Sequence, residues 1–529
     1  MTSSDPRTGR FARHLAAVVA AAALAAGLAA CAGPASGPSA ASGPPTRTDA
    51  RTLVIGATVA PTSLDPSADA AAAGTQVMLY NVYETLVKLD AEGNLRPLLA
   101  QAWQLSDDRL TYTFHLNPAA TFADGSPVDA AAVAANIERI RTEPVAAKLK
   151  NSMAVVDSTT VADARTLQVH LSQPSNLWLY DMASTAGMVM NPTGFGSLAD
   201  QSAGSGPFAV ERWTPGDSIV LAGSRSYWGT AARFDTVTFR YMSDPNAMTA
   251  AMLTGDLDVI SNLQVPDALA QFSDADRFTI VEGTTNGEVV MGLNNGAAPI
   301  DEDAATGKGN QALRDLKVRQ ALTHAIDKQA LVDTVWGGKG AVIGSMSVPT
   351  DPYYEDLAQT YPYDPDRART LLAEAGEENL TLRLKPAALP YASRSAQFIA
   401  SQWEAVGVTV EVEELQFPAR WLEVVYTNAD YDATIVAHVE GRDLVTFTRP
   451  DYYWRYDNPE LATVVADADA SDPDGYVNGM REASEILAQD APAIWLFTLP
   501  NLVITKTGIT GVPNNATTES FDLTTMARV

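Results

Sequence analysis

Beyond position 31 the chain contains no cysteine, since Cys31 is the only one among 529 residues. That absence excludes disulfide staples and thiolate metal sites from everything that follows it. Histidine is nearly as scarce. Only His115, His170, His324 and His438 follow the N-terminal stretch, and no two stand at the i, i+4 spacing of a helical zinc site. Long apolar runs are missing too. The longest, Leu15–Ala30, is mostly alanine and falls short of the roughly 20 residues a membrane-spanning helix needs. Basic charge is outweighed, with 36 Lys and Arg against 63 Asp and Glu and a net charge of −27. Such a surface excludes nucleic acid as a partner and broad adhesion to anionic lipid.

Catalytic motifs are also absent. Gly307-Lys308 and Gly338-Lys339 are each followed by glycine where a phosphate loop needs Ser or Thr. Ser205 sits in Gly204-Ser205-Gly206, but a nucleophile elbow needs glycine at 203 and 207, which are Ala203 and Pro207. The acid-rich stretch Asp467–Gly475 has Asp472 where a calcium loop needs its turn glycine, so it reads as a helix-end turn. No nucleophile–base pair emerges, and neither a cofactor nor a resident metal is expected.

What is present begins at the N-terminus. Arg7, Arg10 and Arg13 precede the apolar run, and Leu28-Ala29-Ala30-Cys31 closes it. A positive n-region, a short apolar h-region and small residues at the exit describe a secretory signal over 1–30. The closing tetrad resembles the lipobox of bacterial lipoproteins, which implies that Cys31 is lipidated and anchors the chain outside the cytoplasmic membrane. Residues 31–50 are rich in Gly, Pro, Ser and Ala, the composition of a flexible linker.

The body has a 46% hydrophobic fraction, ample for large cores. Helical and strand patterns alternate along it. Leu53–Ala57 opens as a strand. Asp364-Pro365 starts a helix that Gly376 ends, and Ile399, Trp403 and Val406 form an apolar stripe before Gly407. Val408, Val410 and Val412 alternate as in a half-buried strand, Gln311–Trp336 reads as one helix, and Ile494–Leu499 reads as an apolar strand. This is an α/β pattern. Trp103, Trp213 and Trp228 are expected in the core, and Arg319 in a structural pairing.

Several separated blocks share one resemblance. They are Asn81-Val82-Tyr83-Glu84, Gly93-Asn94-Leu95-Arg96-Pro97, Phe122-Ala123-Asp124-Gly125, Gly204-Ser205-Gly206-Pro207-Phe208, Gly255-Asp256-Leu257-Asp258, Val318-Arg319-Gln320-Ala321-Leu322, Tyr363-Asp364-Pro365-Asp366-Arg367-Ala368 and Tyr456-Asp457-Asn458-Pro459-Glu460. In this order they resemble the family 5 extracellular solute-binding proteins of bacterial ABC importers for peptides and nickel. The resemblance implies a two-lobed, periplasmic-binding-protein-like fold of type II with an additional inserted domain. Lobe I would comprise 51–93, 205–295 and 498–529, the inserted domain 94–204, and lobe II 296–497, with crossovers near 295 and 498. It also implies a monomer that captures a small-molecule or peptide ligand and hands it to a permease and ATPase complex, with no chemistry on the ligand.

In peptide-binding relatives an acidic residue for the ligand's α-amine follows a strand resembling Tyr431–Ala437. Here that segment reads His438-Val439-Glu440-Gly441-Arg442-Asp443. Glu440 falls at the amine-binding position, with Arg442 and Asp443 beside it and His438 at the strand end. The family's usual aromatic residue and Asp-Pro pair are missing from the stretch. A solvated, salt-bridged loop is the plain alternative. Dipeptides, oligopeptides, nickel chelates, opines and sugars all remain open as ligands, as do a non-transport receptor and, more remotely, a secreted hydrolase.

Overall fold

The computed structural model describes residues 51–68, 72–296 and 309–529. The signal over 1–30, Cys31 and the 31–50 linker lie outside them. Among the described residues no helix is long and apolar enough to cross a membrane.

Two long strands organise the fold. Phe278–Leu293 and Ala493–Lys506 pair antiparallel almost end to end, from Phe278 opposite Lys506 to Gly292 opposite Ala493. The ten-stranded sheet around them continues in both directions. On one side come Ala433–His438, Thr381–Leu384 and Thr409–Val412; on the other come Val259–Ile260, Thr52–Ala57, Thr236–Tyr241, Ser218–Gly223 and Phe208–Thr214. Both long strands therefore serve both ends. Their ladder breaks between Thr284 and Glu288, opposite the Thr498–Pro500 stretch. Pro500 has no N–H to donate, so a bulge at this point is the local outcome. Thr285 Oγ1 satisfies part of the gap by donating to the Leu499 carbonyl at 2.8 Å.

A separate four-stranded antiparallel sheet lies within 94–204, in the order Ala100–Leu105, Thr111–Leu116, Thr166–Leu171, Val156–Asp163. Period-2 patterning builds its core. Tyr112, Phe114 and Leu116 face inward with Leu167, Val169 and Leu171 from the neighbouring strand. The Ala130–Thr142 helix, capped by the Asp129 side chain on Ala132 N–H, covers them with Val133, Ile137 and Ile140.

Local signals act as read at several places. Asp364 caps Pro365–Ala375, and Gly376 ends it with a φ of 75°. Pro390–Ala405 buries Ile399 and Trp403, and Gly407 turns the chain with φ 100°. Three expectations need correction. Gln311–Trp336 is not one helix but a 3₁₀ turn, Gln311–Arg314, and two helices, Leu316–His324 and Lys328–Trp336. Asp315 and Asp327 each accept backbone N–H bonds and start a new helix, which overrides the continuous apolar stripe. Thr409–Val412 is an edge strand, so Val408 is buried, Val410 half-buried and Val412 exposed. Trp103, Trp213 and Trp228 are half-buried at core margins rather than enclosed. Arg319 is structural as expected, but its partners are the carbonyls of Leu313, Arg314, Asp490 and Ala491.

Glu84 is buried and accepts hydrogen bonds from Ser205 Oγ at 2.8 Å, Tyr227 OH at 2.6 Å and Trp228 Nε1 at 2.9 Å. Three donors fix one carboxyl, so the Gly204-Ser205-Gly206 serine is a structural donor. Burial pushes the Glu84 carboxyl up to about 7, against the pull of those three bonds. A carboxyl raised in the folded state contributes stability that is fully present below the unfolded range and is lost as pH rises through about 7. Between pH 5 and 8 the melting temperature of the native chain should therefore fall further than that of Glu84→Gln, by roughly 2–4 °C. Differential scanning fluorimetry across that range reads the slopes, and equal slopes would remove Glu84 from the account.

Candidate ligand-binding site

The Ala433–His438 strand leaves the large sheet beside the bulge, with His438 opposite Glu288 in register. The chain then turns through Glu440, Gly441 and Arg442 into a short 3₁₀ turn, Asp443–Thr448. Arg442 holds a left-handed backbone with φ 63°, a strained choice for a residue with a side chain and one that clusters at functional sites. A methyl group on Gly441 would collide with the Tyr180 hydroxyl and come within 2.9 Å of Asn286 Nδ2. The loop is thus wedged between the 94–204 segment and the crossover strands.

His438, Glu440 and Asp443 are brought together, and no two of their donor atoms lie more than 4.8 Å apart. His438 Nδ1 is 3.6 Å from Asp443 Oδ2, and its Nε2 lies 2.8 Å from the Tyr453 hydroxyl. Burial among Tyr452, Tyr453 and Trp454 pushes its imidazole down to about 4, so the ring is neutral at ordinary pH. In the tautomer whose Nε2–H donates to the Tyr453 oxygen, Nδ1 is an acceptor.

Arg442 departs from this group. Its guanidinium lies 3.9 Å from the Tyr180 ring centroid and 5.5 Å from that of Tyr476. It stacks on aromatic faces, near Asp351, instead of bridging Glu440 and Asp443.

Lys148 gives Glu440 a cation. Its Nζ is 2.8 Å from Glu440 Oε1 and 3.8 Å from Glu519 Oε1. Three distant stretches meet here: the Ala147–Met153 helix, the 440 loop and the C-terminal segment. Lys148 and Glu440 keep 32% and 40% of their side chains accessible. Both therefore sit half-exposed at the seam where these stretches meet. Burial alone would raise the Glu440 carboxyl, but Lys148 holds it below the usual range. Burial, reinforced by neighbouring carboxylates, raises Glu288 and Asp443 well above theirs, and Glu519 moves the same way against the pull of Lys148. Sequence reasoning missed Lys148, Glu288 and Glu519. No local signal marks them, because their meaning arises only where the stretches meet. Tyr452-Tyr453-Trp454, by contrast, stood in plain sight as an aromatic run.

The trio offers one neutral nitrogen and two carboxyl groups to a cation, with His438 Nδ1 and Asp443 Oδ2 already 3.6 Å apart. Two apolar cavities elsewhere, of ≈ 10 Å³ beneath Leu86 and Ile137 and ≈ 40 Å³ beside Val503 and Phe521, have no room for a solute larger than water.

Residues 94–441 match the family described as bacterial extracellular solute-binding proteins, family 5, and the match ends at Gly441, inside the loop. The chain is 28% identical to the glutathione-binding protein GsiB of Pectobacterium atrosepticum over 70% of both chains. Its fold is similar to that of the Helicobacter pylori periplasmic binding protein DppA in complex with peptide STSA (TM-score 0.78, 19% identity, 90% of this chain and 98% of that one). It is also similar to AgaA of A. tumefaciens R10 in complex with agropinic acid (TM-score 0.77, 21% identity, 90% and 99%). The two-lobed α/β architecture expected from the motif blocks is thus the observed one, and the chain belongs to the family 5 bacterial extracellular solute-binding proteins, which work with ABC importers.

Proposed function

We propose that this chain captures a small peptide-like solute bearing a free primary amine and delivers it to an ABC permease. The observation that carries this reading is the convergence of His438, Glu440 and Asp443, whose nitrogen and carboxylate oxygens lie within 4.8 Å of one another at a half-exposed seam. Glu440 is the principal carboxylate, His438 a neutral acceptor, and Asp443 a second carboxylate that ionises when an amine arrives. Arg442 supports the loop through Tyr180 and Tyr476. The relatives' names, which mention glutathione and a peptide, agree with an amine-bearing ligand.

Lobe I comprises 51–93, 205–295 and 498–529, with 94–204 inserted and 296–497 forming lobe II. The crossovers near 295 and 498 form the hinge, and the long strand leading to the first is interrupted at Thr284–Glu288, opposite Thr498–Pro500. Ligand contacts made from both sides favour the closed form by differential affinity, and the permease recognises that form. The monomer is tethered by lipid on Cys31, and the 31–50 linker gives the lobes freedom to dock.

Isothermal titration calorimetry with alanyl-alanyl-alanine and its Nα-acetyl form tests the amine. Acetylation should weaken binding by roughly 10–100-fold, the range for losing a charge-assisted contact, and Glu440→Gln should do the same to the free peptide. Equal affinity for both peptides would sink the proposal. Closure is read separately. Gly441→Ala should wedge the loop off Tyr180, so that small-angle scattering with ligand shows a larger radius of gyration than native and affinity falls about 10-fold. A native-sized liganded state would show that the loop does not gate closure. Cys31→Ser should move the expressed protein from the membrane fraction into the medium or periplasm; a variant that stays bound would rule out the lipid anchor.

A further inference from the structure

Two of the contacts between the 94–204 segment and 296–497 run through the 440 loop: Lys148 on Glu440, and Tyr180 beneath Arg442. A third involves none of His438, Glu440 and Asp443, and it is made of helix ends. The short helix Leu177–Asp181 begins with N–H groups that have no partner within the helix, and the helix Pro459–Ala470 ends with carbonyls in the same condition. Each end is completed by the other segment. The Asp469 carboxylate accepts the backbone N–H groups of Asn176 and Leu177, both at 2.8 Å, and the Ser175 hydroxyl at 2.7 Å. In return the Asn176 side-chain amide donates to the carbonyls of Asp469 at 2.8 Å and Ser471 at 2.9 Å. Arg109, in the turn between Ala100–Leu105 and Thr111–Leu116, donates to Asn176 Oδ1 at 2.9 Å and so fixes which way that amide points. Leu177 packs on the core that contains Val465 and Ala468. One acid of the Asp467–Gly475 stretch is thereby spent on a contact far along the chain.

Asn176, Leu177 and Asp469 are only half-buried, so water can replace each bond when the surfaces part. A small, polar seam of this kind suits an interface that opens, whereas a permanent one is large and apolar. We propose that Asp469 and Asn176 are the latch of lobe closure, a reciprocal pair of helix caps that forms when the inserted domain and lobe II come together and holds the closed form whether or not a solute is bound. This rests on the lobe assignment proposed above, with 94–204 travelling with lobe I. Without the latch, a solute would have to supply all the free energy of closure. With it the closed form is populated in advance, and apparent affinity rises with that population. Both are positioning residues, acting on capture through the closed geometry.

A measurement without ligand tests it. Because Cys31 is the only thiol, the full chain with Cys31→Ser takes two spin labels, at Glu138→Cys and Asp366→Cys, whose side chains are 55% and 93% exposed. Double electron–electron resonance should show the closed-state distance losing population at least about threefold in Asp469→Ala and in Asn176→Ala. Asp469→Asn, which keeps an acceptor for the two N–H groups, should lose less. An unchanged distribution in folded alanine variants overturns the latch. Hydrogen exchange on the native chain needs no variant to fold: the amides of Asn176 and Leu177 should be protected without ligand, and exchange at the rate of an open loop overturns it as well. Alanyl-alanyl-alanine separates the two readings. If the tripeptide shifts the native distance and the variants do not, lobe closure stands and the latch falls. If the variants shift it and the tripeptide does not, the latch stands and the tripeptide is the wrong solute.

Discussion

The antiparallel pairing of Phe278–Leu293 with Ala493–Lys506 is the constraint on which the rest depends. These strands run through the middle of the ten-stranded sheet, so every other strand takes its position from them. Their apolar residues are almost wholly buried, and Val289, Met291, Ile494, Leu496 and Phe497 join one core. Such a pair resists sliding, because both its faces are buried and a one-residue slip would exchange the side chains packed in two different cores. Its ladder is interrupted between Thr284 and Glu288 and shifts again between Val289 and Val290. The break at Thr284–Glu288 lies next to the site, since Glu288 is its last residue and the register partner of His438.

That placement ties motion to electrostatics. The loop carrying Glu440 and Asp443 starts at the strand paired with the bulge, while Lys148 reaches it from the 94–204 segment and Glu519 from the C-terminal one. A movement between these parts changes the separation of one ammonium and several carboxylates in surroundings of low polarity, where charge interactions are strong. An ion pair of this kind adds little net stability, because desolvation offsets the attraction. Its consequence is local: Lys148 holds Glu440 ionised while burial raises the carboxyl groups around it.

Much of the fold was legible because local rules operate over a few residues. Asp364-Pro365 and Gly376 bracket a helix by capping and by a positive φ, whatever surrounds them. Ile399 and Trp403 are buried along one helix before Gly407 turns the chain, as their spacing implies. Local rules also account for the main misreading. The apolar stripe through Gln311–Trp336 was real, but Asp315 and Asp327 divide it, and a cap outweighs a pattern where both apply. Edge and centre could not be told apart in Val408–Val412, because position in a sheet is not a property of the strand itself.

By itself the sequence determined the family blocks, the α/β alternation and the absence of cysteine after Cys31, and it drew attention to the loop at Glu440–Asp443. It is also the whole basis of the leader and lipidation reading at Cys31. Only the tertiary structure decided what that loop faces. Lys148 and Glu440 stand 292 positions apart and 2.8 Å from each other, and no spacing rule reaches across such a distance. Arg442, adjacent in sequence to Gly441 and Asp443, is drawn away to Tyr180. The physical reason is the same in both cases: a charge is governed by whatever the fold brings within a few ångströms of it, not by its neighbours along the chain.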